Sequence, residues 1–220
     1  LGLACYTIDV EGPTSLVYPM PVSCRSFVSA AAFRDPEHAT VADGLPLDRY
    51  VDAWSTLRWD VPDGVWRVLY FAERVMYEGT HAQGNVSAFQ HYVNLLEPEA
   101  VRAFLQVTHE AYRRELPDDI WEHIEAIFTD EPSLMTFYVP PLPERYQGKI
   151  PVIDTPIFQD RPMAVPWAKG FADHFRSVKG YDLTPVLSAL FYSQNDAACY
   201  VRQDYYDVIT ERYTAAFYGQ

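Results

Sequence analysis

Trp66, Val68, Tyr70 and Ala72 alternate with Arg67, Leu69, Phe71 and Glu73. Successive side chains of a strand point to opposite faces, so this segment carries apolar groups on both faces. Such a strand has to be covered on each side, and its aromatics read as core residues. Around it, residues 1–76 read as β throughout. Leu3-Ala4-Cys5-Tyr6-Thr7-Ile8 and residues 22–33 are rich in β-formers and are broken by Gly12-Pro13, Pro19 and Pro21. Leu57-Arg58-Trp59 leads into Val61-Pro62-Asp63-Gly64, where proline and glycine suit a reversal. A largely antiparallel β unit is expected here, with residues 66–75 among its longest strands.

The pattern changes after Glu78. Glu97-Pro98-Glu99 opens a helix, with acidic groups and an early proline in its first turn. Val101, Phe104, Leu105, Thr108, Ala111 and Tyr112 follow at helical spacing. Ile124-Glu125-Ala126-Ile127-Phe128 reads as a short apolar strand that ends in Thr129-Asp130-Glu131-Pro132-Ser133. Residues 139–166 hold seven prolines and read as one long loop, a length that is usually functional or disordered. Helices are expected over 167–178, closed by Gly180, then from Thr184-Pro185, then over 196–218. In the last of these Val201, Tyr205, Val208, Ile209 and Tyr213 form the buried side. One short strand cannot satisfy its own backbone edges. Its partners are expected outside these residues or in the β region at the start, and a fragment of a longer protein is the simpler account. No closed eight-stranded barrel is expected within the 220 residues.

At 49% hydrophobic and 15% aromatic, the chain can build a core. Its 17 Lys and Arg against 30 Asp and Glu give a net charge of −13. That charge repels phosphate backbones and anionic membranes, so nucleic acid is an unsuitable partner; neutral sugars meet no such penalty. No apolar run reaches the ~18 residues of a membrane span. Cys5, Cys24 and Cys199 match no metal spacing and read as unpaired thiols, with a Cys5–Cys24 bridge as the alternative.

Asp130 and Glu131 carry the chemistry. In parallel α/β folds catalytic groups sit at the carboxyl ends of strands, and Pro132 holds the residue before it extended. Neighbouring side chains of an extended segment diverge, so one of the two acids aims at a substrate and the other supports it. Glycoside hydrolysis needs a proton donor and a second carboxylate; Glu131 suits the donor, Asp130 an orienting or hydroxyl-binding role. A solvated acidic turn is the plain alternative. His81 and Asn85 lie in a glycine-containing loop and suit contacts with substrate hydroxyls, unless that loop is simply solvated. Tyr138 and Trp167 suit stacking on a sugar face, and equally core packing. His109-Glu110 opens like a zinc-protease motif, but the second histidine position holds Arg113. His109 reads instead as a structural hydrogen-bonder. Glu73 and Glu78 are weaker catalytic candidates.

Several stretches together resemble family 106 glycoside hydrolases, the α-L-rhamnosidase-like enzymes. They are Trp59-Asp60-Val61-Pro62-Asp63-Gly64-Val65-Trp66-Arg67, Asn94-Leu95-Leu96-Glu97-Pro98-Glu99-Ala100-Val101, Thr108-His109-Glu110-Ala111-Tyr112 and Ile127-Phe128-Thr129-Asp130-Glu131-Pro132-Ser133. Pro166-Trp167, Gly180-Tyr181-Asp182-Leu183 and Val201-Arg202-Gln203-Asp204-Tyr205-Tyr206 complete the set. The resemblance implies an α/β fold: an incomplete (β/α) TIM-type barrel fragment over residues 77–220, preceded by a β-rich insertion domain over residues 1–76. It implies hydrolysis of a terminal glycosidic bond by two carboxylates, the second beyond Gln220, an oligosaccharide or glycoside substrate, and often a calcium ion near the sugar. It also suits a bacterial type of enzyme, secreted or held at the cell envelope. Glu97 stands where such enzymes carry Asp. The alternative is a non-catalytic carbohydrate-binding protein on a degenerate barrel.

Overall fold

Val68, Tyr70 and Ala72 are buried on one face of a sheet and Leu69 and Phe71 on the other, as the alternation requires. The computed structural model describes residues 1–75, 93–128, 132, 134, 162–192 and 196–218. Strands β1 (Gly2–Tyr18), β2 (Cys24–Arg34), β3 (Leu45–Pro46) and β4 (Leu57–Arg74) come first. Helices α1 (Pro98–Val107), α2 (His109–Glu115) and α3 (Asp118–Trp121) follow. Strand β5 (Met163–Pro166) precedes α4 (Phe171–Lys179), α5 (Ser188–Phe191) and α6 (Asp196–Tyr218). The sheet order is β3-β2-β4-β1-β5, and every pairing is antiparallel.

The long β1–β4 ribbon is bent at its prolines. Gly12 pairs with Gly64 and Thr14 with Val61, so Pro13 stands opposite both Pro62 and Asp63. One extra residue in β4 makes this a bulge, a place where a missing proline N–H costs no ladder bond. The bulge also switches the inward parity of the strand. Leu57, Trp59 and Val61 precede it in the same cluster that Trp66, Val68, Tyr70 and Ala72 join after it. The rings of Trp59 and Trp66 are 5.3 Å apart, whereas a straight strand would separate them by ~23 Å. The ribbon therefore folds back over its own face, and Tyr18 meets Tyr70 at 5.3 Å in the same way. The reversal expected at residues 61–64 is thus a bend within one continuous strand. Trp66 holds it by donating from Nε1 to the Pro62 carbonyl at 3.0 Å.

The other face carries the helices. Leu3, Cys5, Leu69 and Phe71 of the sheet pack with Phe171 and Phe175 of α4 and with Tyr205, Val208 and Ile209 of α6. Each such large side chain contributes about 1.5–3 kcal/mol by leaving water. The buried stripe of α6 falls where its spacing predicts, with Val201 and Tyr213 at its margin. Gly180 ends α4 at φ 79°, the left-handed conformation that glycine adopts without a Cβ clash. One apolar cluster thus joins residues from both sides of residue 76.

The expected (β/α) barrel fragment is overturned. A barrel of that kind alternates parallel strands with helices; among the described residues the sheet is open, antiparallel and five-stranded, with its helices grouped in sequence. Residues 124–128 form no strand, and Ile124, Ile127 and Phe128 are exposed, Phe128 by 85%. Residues 163–166, expected within a loop, instead add an edge strand to β1. The single helix expected from residue 97 breaks at Thr108, where φ is −114° and ψ −86°. Thr108 Oγ1 donates to the Phe104 carbonyl at 2.6 Å and lies 2.9 Å from His109 Nδ1, local bonds that compete with the helix ladder. Of the expected apolar stripe only Val101 is buried; Phe104 and Tyr112 face solvent. All three cysteines are free. Cys5 faces the helices and Cys24 packs with the opposite cluster, so no Cys5–Cys24 bridge forms.

Candidate functional site

Where β4 and β5 end, polar side chains knit the sheet to the first helix. Phe71 and Glu73 point to the helix-bearing side of β4, and the Glu73 carboxylate accepts from Ser26 Oγ at 2.6 Å and from Trp167 Nε1 at 3.1 Å. Asn94 Nδ2 donates to Glu97 Oε1 and to the Trp167 carbonyl, both at 3.0 Å. Glu97 Oε1 also accepts from the Lys169 amide at 3.2 Å. Glu97 is thus the residue that ties the start of α1 to the segment before α4. Both acids are structural: their oxygens hold neighbouring segments in place.

Asp130, Glu131, His81, Asn85 and Tyr138 lie outside the described residues. Two residues beside the acidic pair are described. Tyr213 donates to the Pro132 carbonyl at 2.9 Å, and Leu134 packs against the helix-side core. Trp167 is enclosed, 3% exposed, with its ring 5.1 Å from that of Phe171. A ring so covered offers no face to a sugar, and the core-packing alternative accounts for it. His109 makes the local hydrogen bond to Thr108 expected of a structural histidine.

Among the described residues, clefts flank the helices on two sides. The first, about 550 Å³, is lined by Arg67, His38, Ser188 and Tyr192. Its polar groups are largely satisfied. Arg67 forks onto Asp9 at 2.7 and 2.9 Å, which holds the Asp9 carboxyl below its usual range, and Tyr192 shares a 2.6 Å hydrogen bond with Thr7. Asp35 raises the exposed His38 through a 3.1 Å contact. Ser188 Oγ is the exception, buried and unpartnered.

The second cleft is larger, about 820 Å³, and brings together Arg102, Glu110, His174, Glu211 and Arg212 from α1, α2, α4 and α6. Burial lowers the Arg212 guanidinium; burial and then the Arg212 charge lower His174. The sequence reading missed both residues, although each leaves a signal. His174 falls between Phe171 and Phe175, and Arg212 continues the stripe of Tyr205, Val208 and Ile209 at the next helical turn. A polar residue on a buried stripe was the clue.

The calcium that the resemblance implies finds no group of three or more His, Cys, Asp or Glu arranged for a metal among the described residues. Among them, too, no helix is long and apolar enough to cross a membrane. The fold defines the class: an α+β protein built on an open antiparallel sheet with helices on one face. No protein-family model, curated protein or solved structure matches the chain.

Proposed function

We propose that this chain belongs to a glycoside-hydrolysing enzyme, of α-L-rhamnosidase-like specificity, in which Glu131 donates the proton to the leaving oxygen and Asp130 orients it or binds substrate hydroxyls. The observation that carries this reading is the anchor beside the pair. Tyr213 of the long helix α6 holds the Pro132 carbonyl at 2.9 Å, and Leu134 packs on the core. A catalytic acid works only when its support is rigid, and a proline with a hydrogen-bonded carbonyl directly after Glu131 supplies such support. Residues 124–128, which precede the acidic pair, form no strand. Hydrolysis also needs a second carboxylate; Glu73 and Glu97 are engaged in structural hydrogen bonds and are not assigned that role.

The test is steady-state kinetics on an unactivated α-L-rhamnoside and on one with a very good leaving group. Glu131→Gln is expected to lower turnover of the first by ~100-fold or more, to spare the second, and to leave binding nearly intact. Asp130→Asn is expected to cost KM and kcat together. Unchanged turnover of Glu131→Gln on the unactivated substrate would remove Glu131 from the mechanism, and sugar binding without any turnover by the parent protein would favour the non-catalytic carbohydrate-binding alternative.

A further inference from the structure

The cleft between α1, α2, α4 and α6 contains two groups that nothing else in the fold explains. Arg212 Nη1 and His174 Nε2 are both buried, and neither has a hydrogen-bond partner among the described residues. Native proteins rarely leave such atoms unpaired, and each exception asks for a cause. Both belong to residues that line one cleft of about 820 Å³, within the size range of small-molecule sites. We propose that this cleft binds a small hydroxylated carboxylate, with Arg212 and His174 as its fixed polar contacts.

The chemistry of the walls selects that class. The Arg212 guanidinium carbon lies 5.9 Å from the centroid of the Phe171 ring, and a guanidinium carries a planar N–H fork that matches a planar carboxylate. Arg102 and Arg212 are balanced by Glu110 and Glu211, so the cleft accommodates one negative charge better than two. Burial and the neighbouring Arg212 keep His174 uncharged at neutral pH, leaving it one donor and one acceptor for a hydroxyl. Glu110 and Glu211 add acceptors for further hydroxyls, while Leu95, Leu96 and Leu105 offer apolar wall to a carbon skeleton. None of these residues has a role in the hydrolysis proposed above.

The probe is D-gluconate, with sorbitol as the uncharged match and inorganic phosphate as the dianion, read by calorimetric titration and by thermal unfolding. Gluconate is expected to bind with Kd on the order of 1 mM and to raise Tm by about 2–4 °C near saturation; sorbitol and phosphate are expected to do neither. Arg212→Met keeps the aliphatic stem and removes the unpartnered buried N–H group, so Tm should hold or rise while gluconate binding is lost. Arg212→Lys keeps the charge without the fork and should bind about tenfold more weakly. The proposal is overturned if gluconate acts no better than sorbitol, if phosphate binds more tightly, or if either variant binds gluconate as the parent does.

Discussion

Gly12 has no room for a side chain: a Cβ there would meet the Pro62 carbonyl oxygen at 1.9 Å. That oxygen already receives the Trp66 indole, so it cannot retreat without opening the bend that sets Trp66 edge-to-face with Trp59. Gly12→Ala is therefore expected to destabilise the protein by about 1–3 kcal/mol, the scale of overpacking in a closed core. A urea midpoint unchanged from the parent would show that the bulge yields freely. Arg212→Met poses the opposite case, a replacement expected to leave stability unchanged or raised. At this scale the sequence was partly legible. Gly12-Pro13 and Pro62-Asp63-Gly64 announced an interruption, but their pairing across two strands 50 residues apart was not visible locally. His174 and Arg212 stood out of apolar stripes, yet only their meeting in one cleft gives them meaning.

Strand β5 shows how an element is decided from outside itself. Met163-Ala164-Val165-Pro166 is too short and proline-flanked to declare a strand, and it forms one because β1 offers a free edge. Residues 124–128 look more strand-like and remain unpaired and exposed, since backbone groups gain from a ladder only where a partner exists. Trp167, immediately after β5, fastens the new edge by its bond to Glu73 and its contact with Phe171. Trp167→Ala is accordingly expected to cost about 3–5 kcal/mol, because it empties a core position and removes one of the two donors to the Glu73 carboxylate. Denaturant unfolding followed by circular dichroism measures this; a loss under about 0.5 kcal/mol, as for an ordinary surface substitution, would contradict the core role. The break at Thr108 belongs to the same scale: the expected single helix divides there, and of its expected apolar stripe only Val101 is buried.

At the scale of the whole molecule, several phenols and one thiol are held away from water, and the response to alkali follows. Burial pushes up Cys5, Tyr70 and Tyr205, and it takes Tyr6 and Tyr181 to about 12, with help from hydrogen bonds to Cys24 and Asp204 respectively. These groups keep their protons in the fold while the unfolded chain releases them at the ordinary values. The stability they contribute is complete below about pH 9 and is lost as pH rises through about 12. Urea midpoints at about pH 8 and pH 10.5 test this, with the higher pH expected to give the lower midpoint; equal values would refute it. What the sequence determined by itself is local in range: the two-faced strand through Leu69 and Phe71, the buried stripe of α6, and the glycine stop at Gly180. Each follows from periodicity or from the conformational reach of one residue. What only the tertiary structure decided is which distant segments meet: β5 on β1, Pro13 against Pro62, Tyr213 on Pro132, and Arg212 beside His174. Those pairings depend on free edges and shared burial across the chain, and no local window of residues contains them.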